Sequence, residues 1–201
     1  PTLVWGKLDN LYVWVAVLSM VLFGLVGLID DVLKIRRKRS LGLRTGQKLL
    51  LQTLLAAAIG LVFIWMGSRG DFELSLSLPF LKQWVPFLGW FYLPWIVFIL
   101  VGSSNAVNLA DGLDGLAIGL TLISVTALTA LTYVAGHALW SQYLNIARVP
   151  LAAELTVFVG AFAGACLGFL WFNCHPAQVF MGDVGALSLG GTMAVIALLI
   201  K

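Results

Sequence analysis

Apolar residues run in long blocks along this chain, with polar ones gathered between them. The blocks cover approximately residues 11–29, 47–67, 90–109, 115–136, 151–172 and 185–200. Each is close to the ~20 residues that carry an α-helix across roughly 30 Å of hydrocarbon, so the pattern predicts an all-α polytopic membrane protein with about six transmembrane helices. Between the second and third blocks the period changes. Phe72, Leu74, Leu76 and Leu78 alternate with Asp71, Glu73, Ser75 and Ser77, which predicts a short amphipathic β segment, a strand or hairpin, in an outer loop. Pro79 and Pro86 end regular structure there, and Trp84, Trp90, Tyr92 and Trp95 suit an interfacial aromatic belt. No repeat or linker divides the chain, which reads as a single transmembrane domain over 1–201.

Composition agrees with lipid as the solvent: 61% of residues are hydrophobic, 10% are charged, and the mean hydropathy is +1.00. The net charge of +3 is not a nucleic-acid footprint. Seven of the twelve basic residues, Lys34, Arg36, Arg37, Lys38, Arg39, Arg44 and Lys48, fall in one interval between apolar blocks, as in a cytoplasmic loop. Alternation of the helices then places 30–46, 110–114 and 173–184 on the cytoplasmic side, and 68–89 and 137–150 outside. Cys166 in an apolar block and Cys174 in a loop read as free thiols. The chain begins at Pro1 without a methionine and ends at Lys201 within an apolar block, as expected of part of a longer protein.

The same alternation sorts the nine acidic residues. Asp30, Asp31, Asp111, Asp114 and Asp183 collect on the basic side; Asp9, Asp71, Glu73 and Glu154 fall opposite. A carboxylate at membrane depth costs at least about 2.5–3.5 kcal/mol, so three acidic groupings at one depth need a compensating partner, and a divalent cation is an economical one. Asp30 and Asp31 end an apolar helix and point about 100° apart, which either terminates that helix in a wet interface or supplies a base beside a cation. Asn105, Asn108, Asp111 and Asp114 recur every third residue, as a wrapping stripe or, if Gly112 and Gly115 break the helix, as a turn. Amides and carboxylates there can read a base or sugar. Asp183 precedes the last block, as an N-cap or as a site carboxylate beside Gly182 and Gly185, whose backbone lets a phosphate approach. Oxygen-rich, thiolate-poor surroundings favour magnesium or manganese. His175 is open to two readings, a ligand or a polar contact.

Three stretches carry a resemblance: Gly27-Leu28-Ile29-Asp30-Asp31, the run from Asn105 through Asp111-Gly112-Leu113-Asp114 to Ala117, and Phe172 to Gly185 with its HPAQVFMGD core. Together they resemble the phospho-MurNAc-pentapeptide transferases, a branch of the polyprenyl-phosphate N-acetylhexosamine-1-phosphate transferase family, across nearly the whole chain. The resemblance implies transfer of phospho-MurNAc-pentapeptide from UDP-MurNAc-pentapeptide to undecaprenyl phosphate, giving lipid I and UMP for peptidoglycan, with Mg2+ required. It implies a multi-pass protein of the bacterial cytoplasmic membrane with the active site facing the cytoplasm, and allows a homodimer. Asp183 matches the metal ligand, Asp30 the base or nucleophile and Asp31 its catalytic partner. Asn105, Asn108, Asp111, Asp114, Asn173 and Lys48 match substrate-binding positions, and Phe180 a ring that stacks on uracil. Val32, Ala110 and Cys174 depart from the family's usual tyrosine, threonine and alanine, and none removes a charged site residue. The family's full pattern has about ten helices and a histidine-rich loop, so this chain corresponds to part of it. Three rivals remain: a sibling transferase using UDP-GlcNAc, an ion-coupled transporter, whose carboxylates belong near the midplane, and a structural or assembly protein.

Overall fold

The computed structural model describes residues 1–38, 42–77 and 85–200. Arg39 of the basic interval and Leu78, Pro79 and Trp84 of the outer segment lie outside those residues. Among the described residues, six helices are each long and apolar enough to cross a membrane. In chain order with two short helices they are α1 (Thr2–Trp5), α2 (Leu11–Arg37), α3 (Thr45–Arg69), α4 (Tyr92–Ala110, preceded by a 3-10 turn at Gly89–Phe91), α5 (Leu116–Gly136), α6 (Ala138–Tyr143), α7 (Ala152–Asn173) and α8 (Gly182–Ile200).

Helix α2 starts where Asn10 accepts a hydrogen bond from the Tyr12 amide at 2.9 Å, an N-cap worth about 1 kcal/mol. It outruns its apolar block by two turns because Lys34, Arg36 and Arg37 favour the negative end of the helix dipole, and it stops at Lys38 in the left-handed region. Helix α8 is the most buried span and packs against α2, α4 and α5; α5 also pairs with α7, and α3 with α4.

Both ends of the bundle are tied by polar contacts. At one end the Tyr12 hydroxyl donates to the Asp71 carbonyl at 3.0 Å and Asn10 donates to the Leu151 carbonyl at 2.8 Å. Phe63, Phe72 and Tyr92 pack edge to face beside them, with ring centroids 5.0 and 5.7 Å apart. Tyr92 is thus a core residue rather than a member of the aromatic belt, whereas Trp90 is exposed.

The alternating segment after α3 forms less sheet than its period predicts. Among the described residues it makes one isolated antiparallel bridge, Ser75 to Phe87, flanked by bonds from Leu76 N to the Pro86 carbonyl and from Leu88 N to the Leu74 carbonyl, and no strand. Proline lacks an amide to extend such a ladder. Phe72 and Leu74 instead turn inward against the helices, which accounts for the alternation without a sheet.

A candidate phosphoryl-transfer site

At the other end, α2, α3, α4 and α8 bring charged side chains into one locus. Asp30 and Asp31 sit in the later part of α2; Asp30 is 3% exposed. The next turn supplies Lys34, whose ammonium lies 2.7 Å from Asp30, 3.1 Å from Asp31 and 2.5 Å from Asp183. Lys48, from α3, reaches Asp183 at 3.2 Å and donates to the Asn108 side-chain oxygen at 3.2 Å. Asn108, from α4, donates in turn to Asp183 at 2.5 Å.

This convergence depends on close backbone approach. A Cβ on Gly27 would stand 2.3 Å from the Asp183 carbonyl oxygen, so only glycine lets α2 meet the start of α8 here. Gly182 has φ +65° and faces the Asp31 carboxylate, a conformation that side chains resist. The Val184 amide, a free donor of the first turn of α8, is taken by Asp31 at 3.2 Å. Asp183 itself turns to Lys34, Lys48 and Asn108.

Beside this locus, Asp111, Gly112, Leu113, Asp114, Asn173, Phe180 and Gly182 line a cleft of about 220 Å³. Helix α4 ends at Ala110, so Asn105 and Asn108 are helical while Asp111 and Asp114 lie in the connection to α5. Burial, followed by the charge of Asp183, raises the Asp111 carboxyl above the usual carboxylate range, against a lowering hydrogen bond from the Gly182 backbone. Asp114 meets His175 Nδ1 at 3.2 Å and accepts from the Ala177 amide at 3.2 Å, so His175 makes a polar contact to a carboxylate. Asn173 accepts from Gly115 N at 3.2 Å and donates to the Val179 carbonyl at 2.8 Å, tying the connection before α5 to the loop before α8. Phe180 is 75% exposed on the cleft.

Asn105 is placed differently. It lies about one turn deeper in α4, donating to Gln52 at 2.7 Å and to the Val101 carbonyl at 2.8 Å. Gln52 is fully buried and was not singled out in the sequence, and neither was Lys34, which the basic interval had absorbed. The signal for Lys34 was its spacing, three residues after Asp31 and four after Asp30, which stacks the three on one helical face.

Asp30, Asp31 and Asp183 offer carboxylate oxygens that all lie within 4.8 Å of one another. An all-oxygen donor set of this charge suits a hard divalent cation, and the Lys34 ammonium between the three shows that the locus accommodates positive charge.

The model of the family described as glycosyl transferase family 4 matches residues 13–201. The chain is 51% identical over 199 residues, 99% of its length, to the phospho-N-acetylmuramoyl-pentapeptide-transferase of Thermodesulfovibrio yellowstonii, of which it covers 55%. It is 49% identical over 201 residues to the protein of that name from Maridesulfovibrio salexigens, covering all of this chain and 55% of the relative. With the Koribacter versatilis protein of that name the identity is 46% over 216 residues, covering all of this chain and 57% of the relative. The chain thus spans about half the length of the curated relatives it matches. On a family match that takes in all but the first two residues of α2, all the helices after it and every side chain of the acidic locus, this chain belongs to glycosyl transferase family 4.

Proposed function

We propose that this chain forms the catalytic part of a membrane phosphoglycosyl transferase. The full protein moves phospho-MurNAc-pentapeptide from UDP-MurNAc-pentapeptide to undecaprenyl phosphate, releasing UMP and leaving lipid I for peptidoglycan synthesis. The observation that carries this reading is the meeting of Asp30, Asp31 and Asp183 with Lys34, Lys48 and Asn108 at one end of a membrane-spanning bundle. The relatives' shared name supports the choice of sugar over UDP-GlcNAc. The position at a helix-end boundary, rather than midway along the spans, disfavours an ion pathway.

In this reaction the pyrophosphate bond to UMP breaks and a phosphorus–oxygen bond to the lipid phosphate forms, which demands charge neutralisation and alignment more than covalent machinery. Lys48 supplies positive charge that Asp183 and Asn108 hold in place. Asp30, fixed by the Leu43 amide at 2.7 Å, is the base toward the lipid phosphate, with Asp31 beside it. Mg2+ held by Asp183 with Asp30 and Asp31 would neutralise the pyrophosphate and stabilise the departing UMP. Asp111, Asp114, Asn173 and Phe180 form the nucleoside cleft, with Phe180 stacking on uracil and the carboxylates and amide accepting or donating at base and ribose. The acidic end faces the cytoplasm, where the nucleotide sugar is, while the lipid acceptor arrives from the membrane.

Asp183→Asn in the full-length protein tests this. Asparagine keeps the volume and removes the charge, so the variant should fold in detergent yet lose UMP release by about 100-fold or more, the scale of losing one electrostatic stabiliser. Asp71→Asn at the opposite end should leave turnover unchanged. Near-normal turnover of Asp183→Asn would sink the assignment, and preference for UDP-GlcNAc as donor would move the chain to the sibling branch.

A further inference from the structure

We propose that Lys34 is a tethered cation that holds the Asp30, Asp31 and Asp183 locus when no divalent ion is bound and is displaced when one enters, so that this side chain sets the affinity of the site. The proposal rests on the reading of the locus as a metal centre.

The three carboxylates are arranged alike. Asp30 uses one oxygen for the Leu43 amide at 2.7 Å and turns the other to Lys34. Asp31 uses one for the Val184 amide at 3.2 Å and turns the other to Lys34. Asp183 uses one for the Asn108 amide group and turns the other to Lys34 and Lys48. Each carboxylate is therefore held by a neutral donor on one side and presents its second oxygen to the ammonium, so the acidic cradle keeps its shape without the lysine.

A magnesium-sized ion sits about 2.0–2.1 Å from its oxygens, so an ion reaching all three free oxygens takes the volume the ammonium occupies. Two cations cannot share it. The lysine can leave without moving a helix: its flexible four-carbon stem rises from the α2 face that carries Asp30 and Asp31, and its side chain is 33% exposed. Lys48 approaches from α3, is 17% exposed and touches only Asp183 of the three, so it stays in place as the permanent counter-charge.

The test uses full-length protein stripped of divalent ions, with Mn2+ as the probe read by electron paramagnetic resonance. Lys34→Met keeps an unbranched stem and removes the charge. It should bind Mn2+ about tenfold or more tighter than the parent, because one competing unit charge at contact distance is gone. Its ion-free melting temperature should fall and recover on Mn2+ addition more than the parent's does. In the parent, acetylation of Lys34 read by peptide mass spectrometry should increase when Mn2+ is added. Equal or weaker Mn2+ affinity in folded Lys34→Met overturns the proposal, and if that variant does not fold, Mn2+-independent acetylation of Lys34 does so. Mn2+ binding that is lost in Asp183→Asn but unchanged in Lys34→Met removes the role of Lys34 and leaves the metal reading standing. A parent that binds no Mn2+ removes both.

Discussion

Phe180 is a large aromatic residue that the fold leaves 75% exposed on a cleft lined by Asp111, Asp114 and Asn173. An exposed ring contributes little packing, so its truncation isolates what it does for a ligand. Base stacking on an aromatic ring is worth about 1–3 kcal/mol, and Phe180→Ala should therefore weaken UMP or UDP-sugar binding about tenfold or more while leaving the melting temperature unchanged. Calorimetry of UMP binding to the full-length protein checks this, and unchanged affinity would remove the stacking role. Individual residues were unevenly legible. Asp30, Asp31 and Asp183 stood out because a carboxylate beside an apolar helix has few inexpensive explanations. Lys34 did not, because a basic interval is explained by membrane orientation before any single lysine needs a role. Asn105 and Asn108 look equivalent three residues apart, yet three helical steps leave about 60° between them. That rotation turns Asn105 to Gln52 and Asn108 to Asp183, and neither partner is visible from local spacing.

Between elements, the contact that matters most for the site is α2 on α8. At Gly27 a Cβ would meet the Asp183 carbonyl oxygen at 2.3 Å and the Val184 Cα at 2.6 Å, both backbone atoms that cannot swing aside. Gly27→Ala should force the helices apart where Asp30, Asp31 and Asp183 converge, with an overpacking cost of about 1–3 kcal/mol. Gly102→Ala in α4 is the control, since its Cβ would meet nothing within 4 Å and alanine improves a helix interior by about 0.5–1 kcal/mol. A lower melting temperature with loss of UMP release is expected for Gly27→Ala, and neither for Gly102→Ala; equal melting temperatures would mean the helices yield without cost. The existence and order of the six spans followed from the hydropathy pattern alone, whereas the helix ends did not. Hydropathy reports where lipid ends rather than where the helix ends, which is why α2 continues through Lys34, Arg36 and Arg37 to its cap. The period-two segment pairs only at Ser75 and Phe87 among the described residues for a related reason: alternation shows that Phe72 and Leu74 face inward, and a helix bundle satisfies that as well as a sheet does.

Across the whole molecule, the contacts at the two ends fix the relative direction of the spans. Lys34 and Lys48 with Asp183, and Asp114 with His175, join one set of helix ends; Tyr12 with Asp71, and Asn10 with Leu151, join the other. The basic interval predicts the absolute direction, since lysine and arginine beside short loops are retained on the cytoplasmic side. Two thiols turn this into a measurement. Cys174 is native and exposed near Asp114 at the acidic end, Cys166 is buried within α7, and Ala147 is exposed in the connection before α7 at the opposite end. A membrane-impermeant maleimide should label the parent protein in inverted vesicles and not in intact spheroplasts, and should label a Cys174→Ser, Ala147→Cys variant with the opposite preference. Labelling of both from one side would mean that the helix ends do not alternate across the membrane, and the meeting of α2, α3, α4 and α8 at a single interface would fall with it. Opposite sides in the reverse sense would keep the bundle and invert it, placing Asp183 and the Phe180 cleft away from the cytosolic nucleotide sugar that the proposed reaction consumes. The expected pattern is the one arrangement in which the proposed reaction's nucleotide, from the cytosol, and its lipid phosphate, from the membrane, would reach Asp183 from different phases at the same boundary.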